Sequence, residues 1–461
     1  MNRTPGGGGS ELGRLLAEVR AAGGCSHPIR LAGPVTAVGG RRSLRTVTVA
    51  CKDRRDAVCP ACARRYRGDA WQLVAAGLRG GKGVPGAVSR HPRCFVTLTA
   101  PTFGAVHRPT RPPARCRPRR RHPRCPHGLP LWCDGRHRVD DPAVGRPLCR
   151  WCFDYPGAVL WNAGVSALWP RTAQAVRRQL AVAAGLPVRS VGSVLRLSYT
   201  KVAELQRRGL VHLHVVARVD GPGGPATPPP AWATADALEA AVRRAVPAVS
   251  VAGADGVRRG WGAQLDVRPL EAAGDPGAVA AYVAKYATKA TADADGLARR
   301  LRSDAEVLLL RRHGLDPHLA RLVATAWALG ADADLAPLRL RAHAHTLGYR
   351  GHVLTKSLAY STTFGALRRE RARHQAADSG DEPDADGAWR YVGRGYRDPA
   401  AADLAHVLAT LPGSRPFRGS SPDGSRSVPH PADLGRFARE VPGSGTGPGT
   451  AAGSARGAMA P

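Results

Sequence analysis

The sequence predicts an α+β protein built around an antiparallel sheet with flanking helices. Segment 95–99, Phe-Val-Thr-Leu-Thr, is β-branched and apolar, which is typical of a buried strand. In segment 211–218 two histidines alternate with apolar residues, which predicts a strand with one face toward the core. Segment 278–290 has apolar residues at helical spacing. We therefore expect the histidine strand at the centre of the sheet and this helix packed beside it.

Further elements complete this arrangement. Strands are also predicted at 191–200 and 264–268, and a tight turn at Arg208-Gly209 leads into the histidine strand. Apolar residues at helical spacing predict the remaining helices at 64–78, 158–185, 233–245, 319–329 and 367–374.

Composition divides the chain into five regions. Residues 1–24 are Gly-rich and expected to be flexible, and residues 376–461 are rich in Asp, Gly, Pro and Ser and expected to be mostly disordered. Between them we expect a cysteine cluster with a helix at 25–94, a domain built on the antiparallel sheet at 95–295 and a helical basic region at 296–375. A Cys/Arg-rich insertion at 104–155 interrupts the sheet domain.

The charge of the chain indicates the class of partner. Lys and Arg number 68 against 35 for Asp and Glu, a formal net charge of +33. Such an excess implies a polyanion, and nucleic acid fits best. A GC-rich genome would explain abundant Arg and Ala but not the shortage of acids. A membrane partner is disfavoured because the chain has no long apolar run, and without a signal-peptide pattern we expect a cytoplasmic protein.

Two basic patches are candidates for contact with DNA. The first lies in the insertion and the second in the helical basic region, and each is rich in Arg. A charge run is usually a solvated loop, but the first patch is flanked by potential metal ligands and is well placed to meet phosphates. The proposed DNA-binding residues are Arg119, Arg120, Arg121, Arg350, Lys356, Arg368 and Arg369.

The histidine strand carries a candidate metal site. His212 and His214 project from one face of the strand. Glu204 precedes the turn, so a strand–turn–strand path would bring its carboxylate beside the two imidazoles. Such a set suits Mg²⁺ or Mn²⁺. Gln206 shares the strand parity of Glu204 and is a second-choice ligand. A His-x-His pair alone is weak evidence, because most such pairs are ordinary surface or half-buried histidines.

The helix at 278–290 carries candidate nucleophiles. Tyr282 and Tyr286 are four residues apart and are expected to share a face with Lys285 and Lys289. A tyrosine has a pKa near 10, and a nearby ammonium group would favour its phenolate. The alternative is a surface helix whose tyrosines are amphipathic and whose lysines face solvent.

The ten cysteines favour metal sites over disulfides in a reducing compartment. Cys51, Cys59 and Cys62 form the first set, with Cys25 or His27 as its fourth ligand. The second set is predicted to be Cys125, Cys133, Cys149 and Cys152, with His127 and His137 nearby. Paired C-x-x-C elements indicate structural zinc. Cys94 is expected in the core, and Cys116 has no assignment.

These motifs together resemble the HUH endonucleases, which are named for the His–hydrophobic–His motif. Segment 95–99 looks like their first motif, Glu204 with His212-Leu-His214 like the second, and the tyrosine helix like the third. From Cys25 to about Arg373 the chain looks more closely like the replication initiators of actinobacterial plasmids and integrative conjugative elements.

The resemblance implies an HUH nickase domain at 95–295 that starts rolling-circle DNA replication. Such a protein binds a double-stranded origin, nicks its exposed single strand through a tyrosine, and leaves a 5′-phosphotyrosine link and a free 3′-OH. Host helicase and polymerase are the implied partners. The rivals are a conjugative relaxase or transposase of the same chemistry, and a zinc-containing DNA-binding regulator without catalysis.

Overall fold

Antiparallel sheets and helices make up the part of the chain that the computed structural model describes, residues 8–36, 42–270, 275–288, 297, 299–379 and 389–410. All of these residues belong to one compact unit, Met1–Pro422, and the second unit, Asp423–Pro461, lies outside them.

The strands and helices are numbered in chain order. The strands are β1 (Ile29–Thr36), β2 (Arg42–Val49), β3 (Arg93–Thr99), β4 (Arg196–Leu205), β5 (Val211–Asp220), β6 (Ser250–Ala252), β7 (Arg258–Gly260), β8 (Leu265–Pro269), β9 (Leu354–Lys356) and β10 (Arg390–Arg394). The helices are α1 (Gly8–Ala21), α2 (Pro60–Arg79), α3 (Tyr155–Ala183), α4 (Ala235–Ala248), α5 (Pro276–Thr288), α6 (Asp304–Leu309), α7 (Pro317–Leu329), α8 (Phe364–Ser379) and α9 (Pro399–Thr410). Short 3-10 helices cover Gly86–Arg90, Val188–Ser193, Ala336–Leu338 and Leu340–Thr346.

The central sheet has five antiparallel strands in the order β8-β3-β5-β4-β9. The histidine strand β5 lies third of five, so its predicted central position is confirmed. Alternation along β5 divides its side chains between two faces. Leu213 and Val215 are fully buried on one face, while His212 and His214 share the other with Glu204 on β4.

Helices cover both faces of this sheet. Leu213 and Val215 belong to a core shared with α3, α4 and α7. Val216 and Phe95, on the opposite face, pack with α2 and α5. Each fully buried Leu or Val stabilises the fold by about 1.5–3 kcal/mol relative to an exposed one. The histidine face is therefore a second core with a polar centre.

Local sequence sets the limits of the helices around the site. Asp154 caps α3 by accepting a hydrogen bond from the backbone N–H of Gly157, and proline follows at the first turn. Asp316 caps α7 in the same way. The expected helix at 278–290 is observed as Pro276–Thr288, and residues 289–290 lie outside the described part.

The ends of the described chain differ from expectation. Residues 8–21, expected to be flexible, form α1, whose Leu15 and Val19 are buried. The tail, expected to be mostly disordered from 376, contains the end of α8, then β10 and α9. Strand β10 joins β1 and β2 in a second sheet, and α1 packs against α9. Overall composition hid the apolar stripe of α9, where Ala401 and Ala405 are fully buried.

Two internal regions also differ from the predicted pattern. Residues 191–193 end a 3-10 helix, and the strand begins at Arg196 and continues to Leu205, which brings Glu204 into the sheet. Within 296–375, β9 is the edge strand beside β4, and α7 packs against α3. This region thus contributes to the same core as the sheet. Among the described helices, we find none with the length and apolar character needed to cross a bilayer.

Candidate functional site

The β4–β5 hairpin brings the predicted metal ligands together. Glu204 is the direct cross-strand partner of His212, and the Nε2 atom of His214 lies 3.3 Å from a carboxylate oxygen of Glu204. His214 is only 4% exposed. The rings of His212 and His214 have centroids 4.6 Å apart. The alternation read from the sequence therefore places Glu204, His212 and His214 on one face of the sheet. They form a polar cluster in an otherwise apolar layer.

Strand β3 orients both rings through two threonines that sequence reasoning did not single out. The hydroxyl of Thr97 lies 3.3 Å from Nδ1 of His214, and the hydroxyl of Thr99 lies 3.3 Å from Nδ1 of His212. Gln206 Nε2 is 3.2 Å from the same Nδ1 of His212. The signal in the sequence was the alternation of segment 95–99, which places Thr97 and Thr99 on one face of β3. In the structure these threonines directly oppose the two histidines.

The electrostatics of His212 favour an uncharged ring. Burial, reinforced by the neighbouring His214 and opposed by Glu204, lowers the pKa of His212 to about 3. A neutral imidazole is the form that binds a metal ion.

The donor set fits a hard divalent cation in chemistry and partly in geometry. The 3.3 Å separation of His214 Nε2 and Glu204 is near the edge of an octahedron with bonds of about 2.1 Å, which is about 3.0 Å. The trio of His212, His214 and Glu204 is less tightly gathered than the cysteine-rich groups of the described chain, whose ligand atoms lie within 4.8 Å of one another. Gln206 contacts His212 and so lies beside the trio rather than replacing Glu204.

Both tyrosines of α5 lie over this cluster. The ring centroid of Tyr286 is 4.7 Å from that of His214, the Tyr282 ring is 5.3 Å from it, and the two tyrosines are 4.8 Å apart. Tyr282 is 5% exposed and Tyr286 is half-buried. Burial, followed by the neighbouring Tyr286 hydroxyl, raises the pKa of Tyr282 above its ordinary value. The two phenols are thus close in space but differ in access.

Of the two lysines of the motif, Lys285 lies within the described part of α5. Lys285 is exposed, whereas Tyr282 on the same helix is buried, so they do not share an environment. Lys289 lies outside the described residues.

An arginine from the N-terminal region holds the end of the tyrosine helix. Arg54 donates a hydrogen bond of 3.2 Å to the carbonyl of Ala287, and Arg67 donates one of 3.1 Å to the Thr288 hydroxyl. The backbone N–H of Asp56 donates to the Thr288 carbonyl. Positive charge at a helix C-terminus is favourable. More than 200 residues separate these partners, so sequence alone did not indicate them.

A cavity of about 240 Å³ opens beside the tyrosines. Its lining includes Glu204, Tyr286, Arg54, Tyr349 and His352. Burial lowers the pKa of Arg54 below its ordinary value, but a guanidinium stays charged. The cavity therefore joins a carboxylate, a phenol and a cation at the edge of the histidine cluster.

The turn between β4 and β5 is held from several directions. Gly209 has φ of +75°, a conformation that favours glycine, and an added Cβ would collide with Leu322. Buried Asn162 donates to the Gly209 carbonyl at 2.9 Å and accepts from the Val211 N–H at 3.0 Å. Arg208 donates 2.8 Å to the side-chain oxygen of Gln206. These contacts hold Gln206, whose side chain contacts His212, in position.

Three cysteine-rich groups could hold a metal ion among the described residues. The first is the predicted set with Cys25, rather than His27, as fourth member. Its Sγ pairs Cys51–Cys62 and Cys25–Cys59 are each 3.7 Å apart. Zinc–sulfur bonds of about 2.3 Å in a tetrahedron give an edge of about 3.8 Å, so this set fits structural zinc.

The second predicted set is divided between two groups. Cys125, Cys149 and Cys152 come together as predicted, but His127 completes that group, with its Nδ1 atom 3.3 Å from the Cys152 sulfur and 3.7 Å from the Cys149 sulfur. Cys133 lies instead with His107, Cys116 and His137. The grouping of Cys133 with the other three was wrong because spacing along an irregular loop does not fix which ligands meet. Cys94 is fully buried in the sheet core, as expected.

Comparison with known proteins decides the family. The family model described as "RepSA: Replication initiator protein, pSAM2" matches residues 11–410. A replication initiator protein of Streptomyces ambofaciens is 41% identical over 442 residues, which cover 87% of this chain and 90% of the relative. The chain belongs to the RepSA family of replication initiators. We found no matching solved structure.

The residues expected to contact DNA lie at several places on this initiator. Arg119, Arg120 and Arg121 are exposed on the insertion, and Arg368 and Arg369 are exposed on α8. Arg350 is exposed and donates to the Pro337 carbonyl, and half-buried Lys356 donates to the carbonyls of Ser357 and Leu358. The exposed arginines of the initiator are thus accessible to a polyanion.

Proposed function

We propose that this replication initiator nicks its double-stranded origin through a tyrosine of α5 and so starts rolling-circle replication. The observation that carries the proposal is the packing of the Tyr282 and Tyr286 rings against His214, which also contacts Glu204. A tyrosine nucleophile needs positive charge at the phosphate that it attacks, and this arrangement offers a nucleophile and a cation-binding set side by side.

The proposed chemistry is a transfer of the phosphoryl group. The phenol oxygen of Tyr286 forms a bond to phosphorus while the bond from phosphorus to the 3′-oxygen breaks. The phenol proton leaves to solvent or a neighbouring base, and the released 3′-oxygen gains a proton. The products are a 5′-phosphotyrosine link and a free 3′-OH. Bound by His212, His214 and Glu204, Mg²⁺ or Mn²⁺ would polarise the scissile phosphate.

Two tyrosines suit a cycle of cutting and rejoining. The first remains occupied by DNA after the initial nick. In the proposal Tyr282 then attacks the regenerated site, and the free 3′-OH closes the circle. Lys285 and Lys289 would contact phosphate oxygens during these steps. Host helicase and polymerase would act in the cytoplasm between the two cuts.

The cavity beside Tyr286 is the proposed route for the DNA strand. Arg54 would attract phosphate, and the ring of Tyr349 offers an apolar wall for a base. The exposed arginines of the insertion and α8 would hold the flanking duplex. These contacts position DNA and do not identify the origin sequence.

We also propose that two cysteine-rich groups bind structural zinc. These are Cys25, Cys51, Cys59 and Cys62, and Cys125, His127, Cys149 and Cys152. Four protein ligands leave no open coordination position, so their role would be to stabilise the fold.

A covalent-adduct assay tests the proposed nicking. Labelled single-stranded oligonucleotides tiled across the element that encodes the chain are incubated with full-length protein and Mn²⁺, then resolved under denaturing conditions. The expected result is a metal-dependent protein–DNA band that disappears in the Tyr282→Phe, Tyr286→Phe double variant.

The same assay separates the rival functions. An adduct formed on a transfer origin or an element end, but not on the replication origin, would identify a relaxase or transposase. Tight binding to the replication origin with neither adduct nor cleavage would overturn the enzyme and leave a DNA-binding regulator.

A further inference from the structure

The insertion at 104–155 contains a tight group of two cysteines and two histidines. Its ligand atoms lie within 4.8 Å of one another. The sulfur of Cys133 is 3.4 Å from Nε2 of His137, and the sulfur of Cys116 is 3.8 Å from Nδ1 of His107. His107 Nδ1 is 3.2 Å from His137 Nε2. Two positions in this group, His107 and Cys116, were not assigned from sequence.

These distances match the edges of a tetrahedral zinc site. With Zn–S bonds of about 2.3 Å and Zn–N bonds of about 2.0–2.1 Å, sulfur–nitrogen edges are about 3.6 Å and nitrogen–nitrogen edges about 3.3 Å. The observed sulfur–nitrogen separations lie on either side of the first value. The histidine pair is within about 0.2 Å of the second. The donor set suits a borderline-soft cation such as zinc.

The contacts around the ligands support the same assignment. Nδ1 of His137 lies 2.7 Å from a carboxylate oxygen of Asp141, so the imidazole is oriented with Nε2 toward the group. The backbone N–H of Arg108 donates to the Cys116 sulfur at 3.3 Å. Ligand histidines commonly contact a carboxylate in this way, and N–H donors stabilise a thiolate.

The surroundings of the group explain why the insertion needs a cross-link. Between the end of β3 and the start of α3 the described chain forms turns and isolated bridges, one of them pairing Arg117 with Cys133. Cys116 is fully buried although Arg115, which precedes it, is exposed. Loops longer than about 15 residues without helices or strands are uncommon in compact domains, so a cross-link that fixes the path of this one is expected.

We propose that His107, Cys116, Cys133 and His137 bind a third zinc ion, which folds the insertion against the β4–β5 turn. Arg207 in that turn donates to the carbonyls of Val139 and Asp141, at 2.8 and 2.9 Å. Asp141 is also the carboxylate partner of His137. The zinc site is therefore two contacts from Arg207, the chain neighbour of Gln206, whose side chain contacts His212.

Zinc content of the full-length reduced protein tests the site without reference to nicking. We expect about three equivalents by elemental analysis, one for each group. Cys116→Ala and His137→Ala should each remove one equivalent. Cys94→Ala, which removes a buried cysteine outside the three groups, should retain all three.

Alkylation of the unmodified protein provides a second measurement that needs no variant. Cys133 is half-exposed, so it should react rapidly unless a metal holds its sulfur. We expect protection of Cys133 in the protein as purified. Two zinc equivalents with Cys133 readily alkylated, or a Cys116–Cys133 disulfide in peptide maps, would overturn the proposal whatever the nicking assay shows.

Discussion

Tyr282 and Tyr286 lie one helical turn apart and both pack against His214, with ring centroids 4.8 Å from each other, yet of the two only Tyr286 lines the adjoining cavity. Burial raises the pKa of Tyr282, which makes its phenol harder to ionise. Two residues that spacing along the sequence could not rank are therefore distinguished by access to solvent and to the cavity.

This difference predicts the order of the tyrosines. Tyr286→Phe should lower the rate of first adduct formation at least about 10³-fold, because it removes the accessible nucleophile. Tyr282→Phe should retain the first adduct and impair the release of closed circles. A time course of adduct and circle on denaturing gels measures both steps. Equal loss of the first adduct in both variants would contradict the ranking.

Gln206 offers a test of metal binding that leaves the proposed ligands in place. Its amide lies 3.2 Å from Nδ1 of His212. Gln206→Ala should weaken Mn²⁺ binding about 10–100-fold, because neighbours that orient a ligand affect affinity by this amount. Titration followed by Mn²⁺ electron paramagnetic resonance measures the change. Gln174→Ala, an exposed glutamine on α3, is the matched control and should bind Mn²⁺ normally.

The sequence predicted which face of the sheet carries the site because the alternation of apolar and polar residues along a strand is a local pattern. Alternation in 211–218 places Leu213 and His214 on opposite faces without knowledge of the rest of the fold. Contacts such as that of Arg54 with Ala287 depend on packing between distant helices, which no spacing encodes. Likewise, the path of an irregular loop decides that His127, and not Cys133, completes the group with Cys125, Cys149 and Cys152. Composition failed to predict α9 because an apolar stripe depends on the positions of apolar residues along the helix, not on the average composition of the segment.

The Cys25, Cys51, Cys59 and Cys62 group should couple zinc to the tyrosine helix. Arg54 follows Cys51 by three residues and holds the C-terminal carbonyl of α5. Chelation of zinc should therefore lower the melting temperature and the rate of adduct formation, because the ligand loop loses its anchor. Differential scanning calorimetry and the adduct assay measure the two effects. Added Zn²⁺ should restore both in the presence of a constant Mn²⁺ concentration, whereas extra Mn²⁺ should not.

Asp220 should be essential to stability rather than to chemistry. It is fully buried at the end of β5, where Arg218, His91 and Ser198 contact its two oxygens. Asp220→Ala should lower the free energy of unfolding by about 3–5 kcal/mol, because it leaves the buried Arg218 without its carboxylate. Urea denaturation measures the change.

The control for this prediction is Asp255→Ala on the β6–β7 hairpin. Asp255 pairs with Arg259 nearer the surface, and such pairs contribute about 0–1 kcal/mol. A similar loss in both variants would show that the buried network has no special role.

The insertion arginines should contribute to DNA affinity through phosphate contacts. Replacing Arg119, Arg120 and Arg121 with Gln should reduce the slope of log Kd against log salt concentration by about 2 to 3, because each phosphate contact releases counterions. The matched control replaces Arg171, Arg177 and Arg178, three exposed arginines of α3, and changes the net charge equally. Fluorescence anisotropy with an origin duplex at several salt concentrations gives both slopes. If the two triple variants lose the same slope, total charge rather than the insertion governs binding.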